Sequence, residues 1–147
     1  MPVKDSALYE ELYQQALGEP MKYIRHDTNA HEDTALLSLC LENGHAAYGL
    51  YWLLVESITA REQHFYDLST DVGLFSFRRD LSALGEVDEN QCIEFADALA
   101  GKGLIDKAVW EESRRVVIDR VLRDAETYAK GIASRKIGAA KTNRKAS

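Results

Sequence analysis

Cysteine and proline are scarce in this chain: only Cys40 and Cys92, and Pro2 and Pro20, occur among 147 residues. Two isolated cysteines make neither a disulfide framework nor a thiolate metal set. Both fall inside apolar helical patterns, so they are expected as reduced, buried thiols. Proline is absent beyond position 20, which leaves long stretches free to be helical. No apolar run approaches the roughly 20 residues that span a bilayer. The stretch Met1-Pro2-Val3-Lys4-Asp5-Ser6 has no apolar signal-peptide core. A cytoplasmic protein without membrane contact is expected. The apolar share of 46% and charged share of 29% suit one soluble domain with a real core.

Catalytic signatures are also missing. Gly101-Lys102-Gly103 is too short to cradle a phosphate. No serine, histidine and acid stand in a nucleophile context. His26, Asp27, His31 and Asp33 lie close together, but their spacing fits no metal signature. Helix caps and turns account for Asp27, Asn29 and Asp33 equally well. Glu56 sits in a nearly all-apolar helix and is expected to pair with a base such as Lys22 or Arg25. No enzyme activity, cofactor or bound metal is expected; an enzyme would need a pocket of converging polar groups.

Helical periodicity fills most of what remains. A first helix is expected over 5–18, through Leu8, Leu12 and Ala16. A second covers about 32–43, with Leu36, Leu37, Cys40 and Leu41 inward and Gly44 as its stop. The third, about 45–61, is apolar nearly all round, so it is expected at the buried centre with Trp52 inside. Phe65 to Leu68 suits a short strand. Ser69 is expected to cap a helix to Leu84, with Val72, Leu74, Phe75, Phe77, Leu81 and Leu84 inward. Asp88 and Gln91 form a capping-box pattern ahead of Cys92, Ile93, Phe95, Ala96 and Leu99. Leu104-Ile105-Asp106 and Val109-Trp110 suit the two strands of a hairpin.

Helix, turn at Gly85, helix and hairpin over about 69–110 is the order of a helix-turn-helix with a wing. The fold class expected is mainly α, winged-helix-like, with a small β-hairpin and a long C-terminal helix. That last helix is expected from about 112 to 137, with a stripe of Ile118, Val121, Leu122, Ala125, Tyr128 and Ile132. The stripe must bury against something: a second copy, giving a homodimer, or the first helix through Leu8, Leu12 and Tyr13. The expected units are an N-terminal extension to residue 20, the winged-helix-like domain over 21–112, the long helix over 113–137 and a disordered basic tail over 138–147.

Charge is divided unevenly. Lys130, Arg135, Lys136, Lys141, Arg144 and Lys145 follow the last acid, Glu126, so the net charge of −6 places −12 on the rest of the chain. Such a tail suits sequence-blind contact with phosphates. The second helix of the helix-turn-helix presents Glu89, Asn90, Glu94, Asp97 and Ala98 outward. Acid facing phosphate is repelled, which leaves Asn90 as its one base-reading candidate.

The run Met21-Lys22-Tyr23-Ile24-Arg25-His26-Asp27-Thr28-Asn29-Ala30, then Asp33, Leu36, Leu39 and Gly44, then Ala47-Tyr48-Gly49-Leu50-Tyr51-Trp52-Leu53-Leu54-Val55-Glu56, resembles the Lin-type N-terminal domain family of phage and prophage proteins. Weaker matches follow at Leu84–Asp88 and Lys102–Asp106, and the tail 133–141 resembles the basic segment that trails the domain. The resemblance implies a winged-helix-like fold in the style of the N-terminal domain of the primosomal protein DnaD. It also implies a role near phage or plasmid DNA replication, with replication proteins as partners. It supplies no catalytic residues. Its motif positions here are His26, Asp27, Asn29, Asp33, Gly44, Tyr48, Gly49, Tyr51 and Glu56. Ala35 stands where a basic residue is usual. Two functions follow as expectations: a DNA-associated replication or regulatory accessory, or a protein–protein adaptor that binds no DNA.

Overall fold

The computed structural model describes residues 3–146, with side chains described over 5–143. It is mainly helical, with one small antiparallel sheet and a long C-terminal helix. In chain order the elements are α1 (Val3–Leu17), α2 (Thr34–Asn43), α3 (His45–Ala60), β1 (Tyr66–Asp67), α4 (Asp71–Leu81), α5 (Glu89–Gly101), α6 (Lys107–Ser113), β2 (Arg115–Val116) and α7 (Asp119–Ala146).

Local chemistry sets most boundaries. Asp33 caps α2 by accepting the Leu36 N–H at 3.0 Å. Gly44, at φ 87°, makes the joint into α3, a conformation that strains any residue with a Cβ. Thr70, not Ser69, caps α4: its hydroxyl accepts from Gly73 N–H at 3.0 Å. Ser69 instead hydrogen-bonds to the Asp67 carboxylate. The Asp88–Gln91 capping box opens α5 as its spacing predicts, with N···O distances of 2.8 and 2.9 Å.

α3 is central, as its all-round apolar character requires. Tyr51, Trp52, Leu54, Val55 and Ile58 are buried, Trp52 to 7% exposure. They meet Leu36 and Leu39 of α2, Phe77 and Leu81 of α4, and Cys92, Ala96 and Leu99 of α5 in one core. On α2 the inward set is Leu36 and Leu39; Leu37 and Leu41, expected inside, are exposed. α4 likewise keeps Phe77 and Leu81 inside but turns Val72 and Phe75 to the surface, and Leu84 beyond it is exposed. Glu56 also faces solvent, and Arg25 pairs with Asp27 at 3.3 Å.

The strands lie elsewhere than the sequence suggests. Val109 and Trp110 belong to α6, which Asp106 caps by accepting the Val109 N–H at 3.1 Å. The sheet pairs β1 with β2, Tyr66 opposite Val116 and Asp67 opposite Arg115. Asp106 N–H reaches Val117 O at 2.8 Å, so the segment after α5 does run beside a returning chain, one helix further on. Two short apolar runs cannot reveal their partners by periodicity, and an apolar pair such as Val109-Trp110 suits a helix as well as a strand.

α7 begins at Asp119 rather than near 112, and it continues as helix through the stretch over 138–146 that was expected to be disordered. α1 packs along it. Lys141 and Asp5 pair at 3.6 Å at one end, while Leu17 and Leu122 line one recess at the other, so the two helices run antiparallel. Ile118, Val121 and Ala125 are buried, Tyr128 and Ile132 half-buried, and Leu122 lies at the surface. Below Ala125, small Ala129 and Ala133 continue the seam, and Ala16 of α1 is buried. The buried part of the stripe therefore finds its cover within the chain.

Candidate functional site

Three surfaces carry the residues that the sequence singles out. The first is α5. Glu89, Asn90 and Glu94 are exposed on it, as expected of an outward face. Asp97 has a structural partner instead. Its carboxylate accepts the indole N–H of Trp110 at 2.8 Å and lies 3.5 Å from the Arg114 guanidinium. This binds α5 to α6, and Arg114 also lies over the Trp110 ring, 4.8 Å from its centroid.

The second surface is that of α7, whose cations point to more than one side of the helix. Lys130, Arg135, Lys136 and Lys141 are all exposed. Among the described residues Lys130, Arg135 and Lys136 form no ion pair, and Lys141 is held by Asp5. Arg123, Lys130 and Lys141 are seven and eleven residues apart, near two and three whole turns, so they share one stripe of the helix. The intervening Thr127 and Ser134 are small and exposed. The side chains of Arg144 and Lys145 lie outside the described residues, though the backbone there is helical.

The third surface is a cleft of about 580 Å³ beside Trp52. Here the motif residues converge. Asp27, Asn29 and Asp33 come from the loop before α2, Tyr51 and Trp52 from α3, and Arg120 and Arg123 from α7. His26 stacks on the Trp52 ring with centroids 3.8 Å apart, and Tyr48 meets the same indole edge-on at 6.3 Å. Tyr48 and His26 approach each other at 3.5 Å. Arg120 lies over the indole, 5.0 Å from its centroid. Burial raises the Tyr51 phenol pKa, opposed by the positive charge of Arg120 and assisted by the negative charge of Asp33.

The motif is thus largely a packing device that fixes the loop over 26–33 onto α3. Gly44 is the α2–α3 joint. Gly49 and Glu56 face solvent away from any partner in the core. Arg120 and Arg123 joined the cleft without any signal in the motif. They stand on the polar face of a helix distant in sequence, and only the fold brings that face to Trp52. Among the described residues no three histidine, cysteine or acidic side chains converge as a metal site. No helix there is long and apolar enough to cross a membrane.

A family model described as Lin1244/Lin1753-like, N-terminal, matches residues 23–118. No curated protein and no solved structure matches the chain significantly. The chain belongs to the Lin1244/Lin1753-like N-terminal family; the matched span runs from the loop ahead of α2 to the residue before α7, and α1 and α7 both lie outside it.

Proposed function

We propose that this family member is a non-enzymatic, DNA-associated accessory protein that meets duplex DNA through the exposed cations of α7, without reading its sequence. The observation that carries the proposal is the division of surface charge. Among the described residues Lys130, Arg135 and Lys136 stand exposed on α7 and form no ion pair, whereas α5 turns Glu89 and Glu94 to solvent. Phosphates attract the first surface and are repelled by the second. We read α4 and α5, with the short β1–β2 pair beside them, as a winged-helix-like unit in the style of the DnaD N-terminal domain. In this reading the unit stands beside α7, which α1 and α3 hold in place, and phage or plasmid replication is its setting.

A mobility-shift assay with a generic duplex at low salt tests the proposal. Wild-type protein should retard the duplex, and a variant with Lys130, Arg135, Lys136 and Lys141 changed to Ala should not. Equal retardation by both would overturn it.

A second reading, the protein–protein adaptor, draws on one observation. Val72 and Phe75 are 76% and 59% exposed, one turn apart on the same face of α4. Apolar side chains paired in that way suit a partner such as a replication protein. Val72→Asp with Phe75→Asp should abolish binding to such a partner and leave DNA retardation unchanged.

A further inference from the structure

α1 packs along α7 and along no other helix to a comparable extent. One neighbour does not cover its apolar side. Leu8 and Leu12 on one edge of its stripe, and Tyr9 and Tyr13 on the other, are all half-buried, and Ala16 alone among its described side chains is buried. The two tyrosines stand one turn apart with their rings stacked, 6.4 Å between centroids. Tyrosine is a side chain that protein interfaces favour. α7 is uncovered in the same stretch. Ile132 is half-buried, and Arg135 and Lys136, three and four residues further on, continue its side of the helix and are exposed.

The charges of the two helices are opposite. From Asp5 to Leu17, α1 carries the acids Asp5, Glu10 and Glu11 and no base; from Thr127 to Asn143, α7 carries Lys130, Arg135, Lys136 and Lys141 and no acid. Yet among the described residues only Asp5 and Lys141 pair between them, at 3.6 Å. Glu10 and Glu11 are exposed and accept from the Gln14 and Gln15 amides of their own helix, at 2.9 and 3.5 Å. Each borders the apolar stripe: Glu11 follows Leu8 by three residues, and Glu10 precedes Tyr13 by three.

A face with an apolar middle, acids on one helix and cations on the other, is complementary to itself. We propose that the α1–α7 face is the interface of a homodimer. A two-fold axis running along the helices lays each α1 antiparallel against the α7 of the other copy, so that acids meet cations. An axis across the helices would lay α1 on α1 and acid on acid, and like charges oppose it. The half-buried leucines and tyrosines of α1 in one copy then pack on the Ile132 side of α7 in the other, and the four helices form a bundle. The inference does not rest on the DNA reading. Both use Arg135 and Lys136, so the test of the dimer contains no DNA.

That test is sedimentation equilibrium of the full chain. Wild-type protein should pass from monomer to dimer as its concentration rises through the micromolar range. Glu10→Lys with Glu11→Lys, and separately Arg135→Glu with Lys136→Glu, change exposed positions only. Each pair should weaken the dimer at least about tenfold, because like charges then face each other. Glu10→Gln with Glu11→Gln removes the charge and keeps the shape, and should weaken it less. Mixing the two charge-reversed proteins should restore the dimer, since each altered helix meets its complement in the other chain. Misfolded proteins would not rescue one another in this way. A wild type that stays monomeric throughout would overturn the proposal, as would a mixture that fails to dimerise. It would equally be overturned if the charge reversals left the dimer intact and Val72→Asp with Phe75→Asp abolished it, because the interface would then lie on α4.

Discussion

The indole N–H of Trp110 donates to the Asp97 carboxylate at 2.8 Å, and this one bond joins two helices that the sequence reads quite differently. Asp97 looks like an outward acid of α5, and Trp110 like part of a strand. Together they hold α6 against α5, with Trp110 1% exposed. Asp97→Ala should therefore cost about 1–3 kcal/mol, because the buried indole loses its acceptor. Asp97→Asn keeps an acceptor oxygen and should cost less. Urea denaturation of the three proteins checks both expectations.

Trp52 gives the larger effect. It is buried on α3 beneath His26 and beside Tyr51. Trp52→Ala should destabilise the fold by about 3–5 kcal/mol. Thermal and urea unfolding measure it, and a loss near zero would mean that α3 is not the centre of the core.

Gly73 is a matter of space. A Cβ there would overlap the backbone carbonyl oxygen of Asp67, where α4 closes onto β1. The neighbouring atom is backbone and cannot swing aside. Gly73→Ala should cost about 1–3 kcal/mol or more, whereas Gly131→Ala, with open space around it on α7, should be neutral or stabilising.

These contrasts show what the sequence displays and what it hides. The all-apolar α3, the Asp88 capping box and the Gly44 joint are local features, and all three stand where the residues place them. Which face of α2 or α4 is buried depends on partners hundreds of atoms away, so Leu37, Leu41, Val72 and Phe75 were legible as apolar but not as exposed. Strand pairing is longer-range still: β1 and β2 are two residues each and almost fifty positions apart. The Trp52 cleft was half legible. The motif marked Asp27, Asn29, Asp33 and Tyr51, but Arg120 and Arg123 lie on the far side of the chain.

The two thiols should behave differently, contrary to the expectation that both are buried. Cys92 is buried, and burial pushes its pKa up to about 11, whereas Cys40 is half-buried. Thiolate is the reactive form, so a raised pKa leaves Cys92 neutral at ordinary pH. A disulfide reagent at pH 8 should label one thiol per chain rapidly. Cys40→Ser should remove that fast phase. The slow thiol should quicken only as the pH climbs toward about 11.

The central claim, that α7's cations meet DNA phosphates, is tested most directly by the salt dependence of binding to one duplex, followed by fluorescence anisotropy. If about five cations engage phosphates, the log–log slope of affinity against salt should lie near −4 to −5. Changing Lys136, Lys141, Arg144 and Lys145 to Ala should flatten it to about −1 and remove most of the affinity. Glu94→Ala should leave the slope unchanged and strengthen binding slightly, as repulsion falls. The contradicting result is an unchanged slope and affinity in the α7 variant, with binding abolished instead by Asn90→Ala: α5 would then be the surface that reads DNA.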